Sequence, residues 1–275
     1  MTEQAEKARR FLELHHEQRP LLLPNPWDRG SAKLLASLGF QALATTSSGS
    51  AATLGELDGT IGRERALVHS AEIVAASELP VSADLENGFA VDAAGVAETV
   101  RAAVAAGLAG CSIEDYSRDE ASPIYELAEA IERVAAAAEA AHGGEVPLVL
   151  TARAENYLHG RKDLEDTIER LRAYEQAGAD VLYAPGLMHL EEIGRVVESV
   201  GVPVNVLARP GAPSVGELAS VGVARVSVGG AFAFAALGAL VEAAEELQGS
   251  GTYGFWERAK VGAKAAQAAF GLDGR

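Results

Sequence analysis

The chain has 275 residues, of which 48% are hydrophobic and 23% are charged, the mixture of a globular protein with a large core. Its 23 basic and 39 acidic residues give a net charge of −16, which argues against nucleic acid as a partner because phosphate binding needs excess positive charge. The single cysteine excludes an intramolecular disulfide, and no apolar run approaches the roughly 20 residues that cross a bilayer, so we expect a cytoplasmic protein without membrane contact.

Short apolar or β-branched runs alternate with alanine-rich helical segments along the chain. Eight strands are predicted at residues 21–25, 42–48, 81–86, 110–115, 147–154, 181–186, 202–208 and 225–230. A typical helical segment has Asp163 as its N-cap and Gly178 just past its last turn. The repetition predicts a parallel sheet covered by helices, and eight repeats favour a single (β/α)₈ TIM barrel over residues 1–275. No G-x-G-x-x-G follows the first strand, which disfavours a dinucleotide-binding fold.

Three further features of the chain have less specific interpretations. Residues 252–270 predict an added C-terminal helix with Trp256, which is either a cap on the barrel or a contact between subunits. Gly229 and Gly230 after the eighth strand predict either a turn that cradles a phosphate or a close contact between helix and strand. His15, near the end of the N-terminal helix, is interpreted as a solvated surface group.

Polar side chains collect at the C-terminal ends of the predicted strands, where barrels of this kind build their active sites. Because side chains alternate along a strand, Asp84 and Glu86 share one face and are expected at the barrel mouth. The same alternation directs Glu114, Arg153 and Asn205 inward. Five strand ends therefore carry reactive groups: Thr46, Ser47 and Ser48; Asp84 and Glu86; Glu114; Arg153; and Asn205.

The charges at these strand ends do not balance, since several carboxylates face one nearby arginine. Burying unpaired negative charge is costly, so either the carboxyl pKa values rise or a cation binds. Oxygen ligands select a hard ion, Mg²⁺ before Mn²⁺. A structural ion pair, for example between Arg153 and Glu114, is the alternative explanation for any two of these charges.

The chain resembles the isocitrate lyase/phosphoenolpyruvate mutase superfamily, especially its short members that lack the catalytic cysteine. The resemblance rests on motifs in a fixed order: "PNPWDRGSAKLLASLGFQALATTSSGSAATLGELDG", "PVSADLENGFA", "GCSIED", "TARAENYL", "GADVLYAPG" and "VPVNVLA". It implies a modified barrel, Mg²⁺, and chemistry on 2-oxo acids through an enolate of pyruvate. It also implies an oligomer, a tetramer in many members, that exchanges its eighth helix between subunits.

The resemblance and the strand pattern together give a set of candidate site residues. The implied metal ligands are one direct carboxylate and three that act through waters: Asp84, and then Asp58, Glu86 and Glu114. The residues expected to bind substrate are Trp27, Thr46, Ser47, Ser48, Arg153 and Asn205. The residues expected to take part in catalysis are Glu114, Arg153 and Ser48.

Two departures from the family pattern narrow the expected function. Glu86 stands where the usual metal motif has a second aspartate, and residues 116–130 carry no Cys, His or Lys where isocitrate lyases have their catalytic cysteine. We therefore expect a Mg²⁺-dependent lyase or decarboxylase of a small 2-oxo acid such as oxaloacetate, pyruvate or 2-oxoglutarate, acting as a homo-oligomer, tetramer or dimer. The alternatives are a phosphonopyruvate-type enzyme that cleaves a P–C bond, a barrel enzyme for phosphate esters, and a 2-oxo acid binding protein without catalysis.

Overall fold

The structure, a computed structural model, describes residues 2–271. Residue 1 and residues 272–275, which the single-domain prediction includes, lie outside them. The strands are β1 (Leu21–Leu23), β2 (Leu43–Ala44), β3 (Val81–Asp84), β4 (Gly110–Glu114), β5 (Val149–Arg153), β6 (Val181–Tyr183), β7 (Val204–Leu207) and β8 (Arg225–Ser227). The helices are α1 (Glu3–Leu14), α2 (Arg29–Ser37), α3 (Ser47–Thr53), α4 (Arg63–Val74), α5 (Ala93–Ala105), α6 (Leu127–His142), α7 (Leu164–Gln176), α8 (Leu190–Ser199), α9 (Val215–Ser220), α10 (Ala231–Gly249) and α11 (Trp256–Phe270).

The eight strands form one parallel sheet in the order β1-β8-β7-β6-β5-β4-β3-β2, which curls into a nearly closed barrel. This confirms the predicted (β/α)₈ fold. At the seam between β1 and β2, the Ala44 N–H donates to the Pro24 carbonyl over 3.1 Å. The Asn25 side chain donates to the Thr45 carbonyl over 2.9 Å and accepts from the Gly229 N–H over 2.9 Å. One amide therefore joins the chain segments that follow the first, second and eighth strands.

All eight strands are shorter than predicted, and in two of them the difference repositions candidate site residues. The strand predicted at 42–48 is reduced to β2, because the Thr46 hydroxyl accepts the Gly49 N–H over 3.4 Å and caps α3. The strand predicted at 81–86 ends at Asp84, and Glu86 adopts the left-handed conformation with φ 48°. Side-chain alternation therefore does not extend to Glu86.

Local signals correctly predicted both ends of α7. The Asp163 carboxylate caps α7 by accepting the Glu165 N–H over 3.0 Å, and Gly178 follows the helix with φ 104°, as predicted. In β4, Cys111 and Ile113 alternate with Ser112 and Glu114 and are fully buried in the hydrophobic core.

Both ends of the described chain lie against the barrel. The Phe11 ring of α1 packs where a Cβ on Gly110 would stand, at the start of β4. His15, directly after α1, is 2% exposed, so its assignment to the surface was wrong. The added C-terminal helix begins at Trp256, four residues later than predicted, and packs against α2. Within residues 2–271, no helix combines the length and apolarity needed to cross a membrane.

Candidate active site

A cavity of about 210 Å³ opens at the C-terminal ends of the strands. This is below the roughly 300–1,000 Å³ of typical sites for drug-sized ligands, so the cavity suits a small acid rather than a large ligand. Most of the predicted site residues line it: Thr46, Ser47, Ser48, Asp58, Asp84, Arg153 and Asn205. Three do not line it, namely Trp27, Glu86 and Glu114.

Arg153, at the end of β5, is bonded to three carboxylates at once. Its guanidinium lies 3.0 Å from Asp84, 3.1 Å from Glu114 and 2.8 Å from Glu155. The Tyr183 ring, with its centroid 5.2 Å from the guanidinium carbon, covers one side. The ion pair with Glu114, the alternative that the sequence left open, is therefore present. Glu155 was missed, although the motif "TARAE" places it two residues after Arg153.

The electrostatics of this cluster follow from burial and from its excess of acid. Burial raises the pKa of the Glu114 carboxyl and of the Glu155 carboxyl, and the Arg153 guanidinium opposes both shifts. Burial lowers the pKa of Arg153, but the carboxylates of Glu155, Glu114 and Asp84 outweigh it and raise that pKa above its ordinary value. Arg153 therefore stays charged, and the cluster gains stability from any added cation or proton.

The turn between β2 and α3 contacts Asp84 through its backbone and brings two hydroxyl groups to the cavity. The Ser47 N–H donates to Asp84 Oδ2 over 3.3 Å, and the hydroxyls of Thr46 and Ser48 lie 3.2 Å apart. Ser48 is also pressed against the chain after β8, since a Cβ on Gly230 would stand 2.5 Å from Ser48 Oγ. This supports the close-contact interpretation of the two glycines after β8.

The donors around Asp84 are oxygens, which suits a hard cation. Asp84 lines the cavity, and its Oδ2 accepts the Ser47 N–H over a long 3.3 Å; exposed Asp58 lines the same cavity from the segment between α3 and α4. Among residues 2–271, no three His, Cys, Asp or Glu side chains are already arranged around one metal position. Mg²⁺ in proteins is commonly held by one or two carboxylates together with waters and substrate oxygens. The residues present therefore fit Mg²⁺ held in this open manner, and they do not form a closed cage.

Glu86 contacts an arginine that the sequence interpretation overlooked. Its carboxylate forms an ion pair with Arg118, in the segment after β4. Arg118 also donates to the Gly59 carbonyl over 3.0 Å, and its guanidinium carbon lies 5.6 Å from the centroid of the Phe89 ring. The segment without Cys, His or Lys is thus joined by its arginine to the two loops that carry Asp58 and Glu86.

A second arginine, Arg225, lies at the floor of the cavity and was not predicted as a site residue. Its Nε donates to Asn205 Oδ1 over 2.9 Å, its Nη2 donates to Thr151 Oγ1 over 3.1 Å, and its Nη1 lies 3.0 Å from His15 Nε2. The Asn205 amide in turn donates to Ser227 Oγ over 3.0 Å. Burial lowers the pKa of Arg225 to about 9 and that of His15 to about 3. The sequence pattern could have indicated Arg225, because residues two apart on a strand share a face and Arg225 and Ser227 both point inward on β8.

Comparisons with known proteins agree with this architecture. A family model described as phosphoenolpyruvate phosphomutase matches residues 11–248, which include every candidate site residue. A solved structure from Burkholderia cenocepacia J2315, provisionally named a lyase/mutase, is 53% identical with a TM-score of 0.91, covering 93% of this chain and 92% of that one. An uncharacterized protein of Mycobacterium tuberculosis (strain ATCC 25618 / H37Rv) is 33% identical over 220 residues, 80% of this chain and 81% of its own length. The oxaloacetate decarboxylase of Paraburkholderia xenovorans (strain LB400) is 30% identical over 214 residues, 74% of this chain and 69% of its own length.

Proposed function

This chain belongs to the phosphoenolpyruvate phosphomutase family, and from that membership we propose that it is a lyase or decarboxylase that cleaves a C–C bond in a small 2-oxo acid. The surrounding isocitrate lyase/phosphoenolpyruvate mutase superfamily consists of lyases and mutases that act on small carboxylic acids. The observation that carries the proposal is the small cavity where Asp84, Arg153 and the hydroxyls of Ser47 and Ser48 meet. Oxaloacetate is the first candidate substrate, followed by pyruvate and 2-oxoglutarate.

The proposal includes Mg²⁺ as the cofactor, with Mn²⁺ as a substitute. Asp84 would hold the ion directly, and Asp58, Glu86 and Glu114 would act through waters. When bound, the ion supplies Lewis-acid stabilisation of the negative charge that develops on the ketone oxygen. Because all of these ligands are oxygens, the chemistry of the donor set supports this choice of metal.

The protein's own contribution is orientation before the substrate enters. Glu114 and Glu155 fix the Arg153 guanidinium from one side, so its position does not depend on the substrate. The N-cap hydrogen bond of Thr46 fixes the turn that presents Ser47 and Ser48 to the cavity. Donors that are already in place stabilise developing negative charge without a reorganisation cost.

The test combines binding and turnover in the presence of Mg²⁺. We expect calorimetry to detect binding of oxalate, pyruvate or 2-oxoglutarate, and a coupled assay to detect pyruvate released from oxaloacetate. Asp84→Asn should lower turnover by at least about 100-fold, because it removes the direct ligand. Glu120→Gln, which removes an exposed carboxylate after β4, is the matched control and should keep full activity. Binding of none of the three acids would overturn the proposal, and pyruvate release from phosphonopyruvate in place of oxaloacetate would assign the P–C bond reaction.

A second candidate is a protein that binds 2-oxo acids without cleaving them. The observation in its favour is that no Cys, His or Lys is found among the cavity-lining residues in the described part of the chain. A proton donor for the enolate carbon would then have to be a hydroxyl, such as that of Tyr183, whose pKa is raised by burial. Tight binding with no product from any 2-oxo acid tested would select this candidate.

We also propose that the chain forms a homo-oligomer, tetramer or dimer. Helix α10 is strongly apolar, yet Phe234 is 52% exposed, Leu240 is 64% exposed and Val241 is 54% exposed. Contiguous exposed apolar side chains of this kind mark interaction surfaces. Trp256 on the added helix is 57% exposed as well, which favours a subunit contact over a cap on the barrel. Light scattering should give a mass that is a multiple of the 28.5 kDa chain mass, and Leu240→Lys should lower the measured mass towards that of one chain.

A further inference from the structure

Arg225 is a buried cation that faces the cavity without an anionic partner. It is 4% exposed and lies at the start of β8. Its acceptors, Asn205, Thr151 and His15, are all neutral at neutral pH, and no Asp or Glu within residues 2–271 forms an ion pair with it. A buried charge without a counter-ion costs the folded state stability. A residue that destabilises the fold in this way is a candidate for a functional role.

The two arginines that line the cavity have opposite surroundings. Arg153, to which the family resemblance assigns the substrate carboxylate, is already bonded to Asp84, Glu114 and Glu155. These carboxylates repel any further anion near Arg153 until an added cation compensates them. Arg225 has no carboxylate bonded to it within the described residues. Of the two arginines that line the cavity, it is therefore the one whose charge is available to a ligand.

The hydrogen-bonding capacity of Arg225 also exceeds what the protein uses. Its guanidinium makes three hydrogen bonds to the protein, whereas an arginine has more N–H groups than that. The pKa of about 9 keeps the group protonated at neutral pH despite its burial. A planar guanidinium with free N–H groups matches the geometry of a carboxylate.

The two arginines line the same cavity at different depths, as contact with both ends of one small acid requires. Arg225 donates to Thr151, and Arg153 is two residues further along β5, which corresponds to about 7 Å along the strand. We propose that Arg225, positioned by Asn205, binds the second carboxylate of a dicarboxylic 2-oxo acid and so makes the site selective for dianions over monoanions. This inference rests on the proposed function and specifies its substrate class.

The experiment compares acids that differ only in the second carboxylate. Calorimetry would measure the affinities of 2-oxoglutarate and 2-oxopentanoate, and of succinate and butyrate, for the full chain with Mg²⁺. Wild type should prefer the dianion of each pair by about 10- to 100-fold, the effect of a charge-assisted hydrogen bond. Arg225→Gln should abolish this preference and leave the monoanion affinities within about threefold. Arg225→Lys should restore part of the preference, and Arg101→Gln on the exposed face of α5 should change nothing.

A purely structural role for Arg225 predicts a different outcome. In that case Arg225→Gln would weaken the binding of both members of each pair equally, whereas the proposal predicts that it weakens the binding of the dianion alone. If Arg225→Gln does not fold, the titrations of Arg225→Lys against wild type decide in its place. Calorimetry needs no turnover, so Arg225-dependent binding without product would refute the proposed reaction alone. Turnover without any dianion preference would overturn this inference alone.

Discussion

His15 should make the stability of the fold depend on pH in a range where most proteins change little. Its Nδ1 lies 2.7 Å from the Phe11 carbonyl, and its Nε2 lies 3.0 Å from the Arg225 guanidinium. The first contact requires a proton on Nδ1 and the second requires a lone pair on Nε2. A second proton would therefore place two cations in contact inside the barrel, so the folded state excludes it.

The size of the effect follows from the pKa values of the two states. Burial, together with Arg225, lowers the pKa of His15 from 6.5 to about 3 in the folded protein. The unfolded chain therefore binds a proton below pH 6.5, whereas the folded chain binds it only near pH 3. Stability is complete above pH 6.5 and is lost as the pH falls through this window, by about 2 kcal/mol between pH 7 and pH 5.

Equilibrium urea unfolding at pH values from 7.5 to 5, followed by circular dichroism, would measure this loss. His15→Gln keeps an acceptor for Arg225 and cannot titrate, so its stability should fall by about 2 kcal/mol less over the same range. Contributions from carboxyl groups cancel in the difference between the two proteins. Parallel curves for wild type and variant would refute the reasoning, because they would show that His15 is not kept neutral by folding.

Three further substitutions test the site. Arg153→Met leaves three acidic side chains without their shared cation and should lower the free energy of unfolding by about 3–5 kcal/mol, measured by urea unfolding at pH 7; an unchanged value would show that water already compensates them. Gly230→Ala places a Cβ 2.5 Å from Ser48 Oγ and should weaken 2-oxo acid binding at least about 10-fold. The control is Gly238→Ala, whose Cβ would have nothing within 4 Å; it should add up to about 1 kcal/mol of helix stability and leave binding intact. Equal binding by both variants would show that Ser48 is not part of the site. Arg118→Gln removes the ion pair with Glu86 and the hydrogen bond to the Gly59 carbonyl, so it should accelerate proteolysis of the segment after β4; an unchanged cleavage rate would count against the contact.

Local spacing was sufficient to predict most of the residues that line the candidate site. The positions of Asp84, Arg153 and Asn205 on the cavity wall depend on two rules, alternation along a strand and the location of active sites at strand C-termini. Both rules act over a few residues, so a single sequence contains the information they need. The turn at Ser47 and Ser48 reaches the cavity as well, although it does so as the start of a helix rather than as the end of a strand.

The partners of the long side chains could not be predicted from spacing. Arg153 reaches carboxylates on three different segments, and which of them it contacts depends on how the strands stagger around the barrel. His15 and Arg225 are 210 positions apart, and only the closed barrel brings the end of α1 beneath β8. Glu86 illustrates a third limit. It adopts the left-handed conformation and ends the strand, although it is not a glycine, the residue type that usually indicates this conformation in a sequence.

The unequal surroundings of the two arginines make the two ends of the cavity electrostatically different, and this difference leads to a last prediction. At the mouth, Asp84, Glu114 and Glu155 outnumber Arg153, so this end repels a carboxylate until a cation compensates it. At the floor, Arg225 attracts a carboxylate without help. Removing Mg²⁺ with a chelator should therefore weaken the binding of 2-oxoglutarate and of 2-oxopentanoate by the same factor, so the ratio of the two affinities should not change. If the preference for 2-oxoglutarate disappeared when Mg²⁺ was removed, both carboxylates would bind at the mouth, and the assignment of the second carboxylate to Arg225 would be wrong.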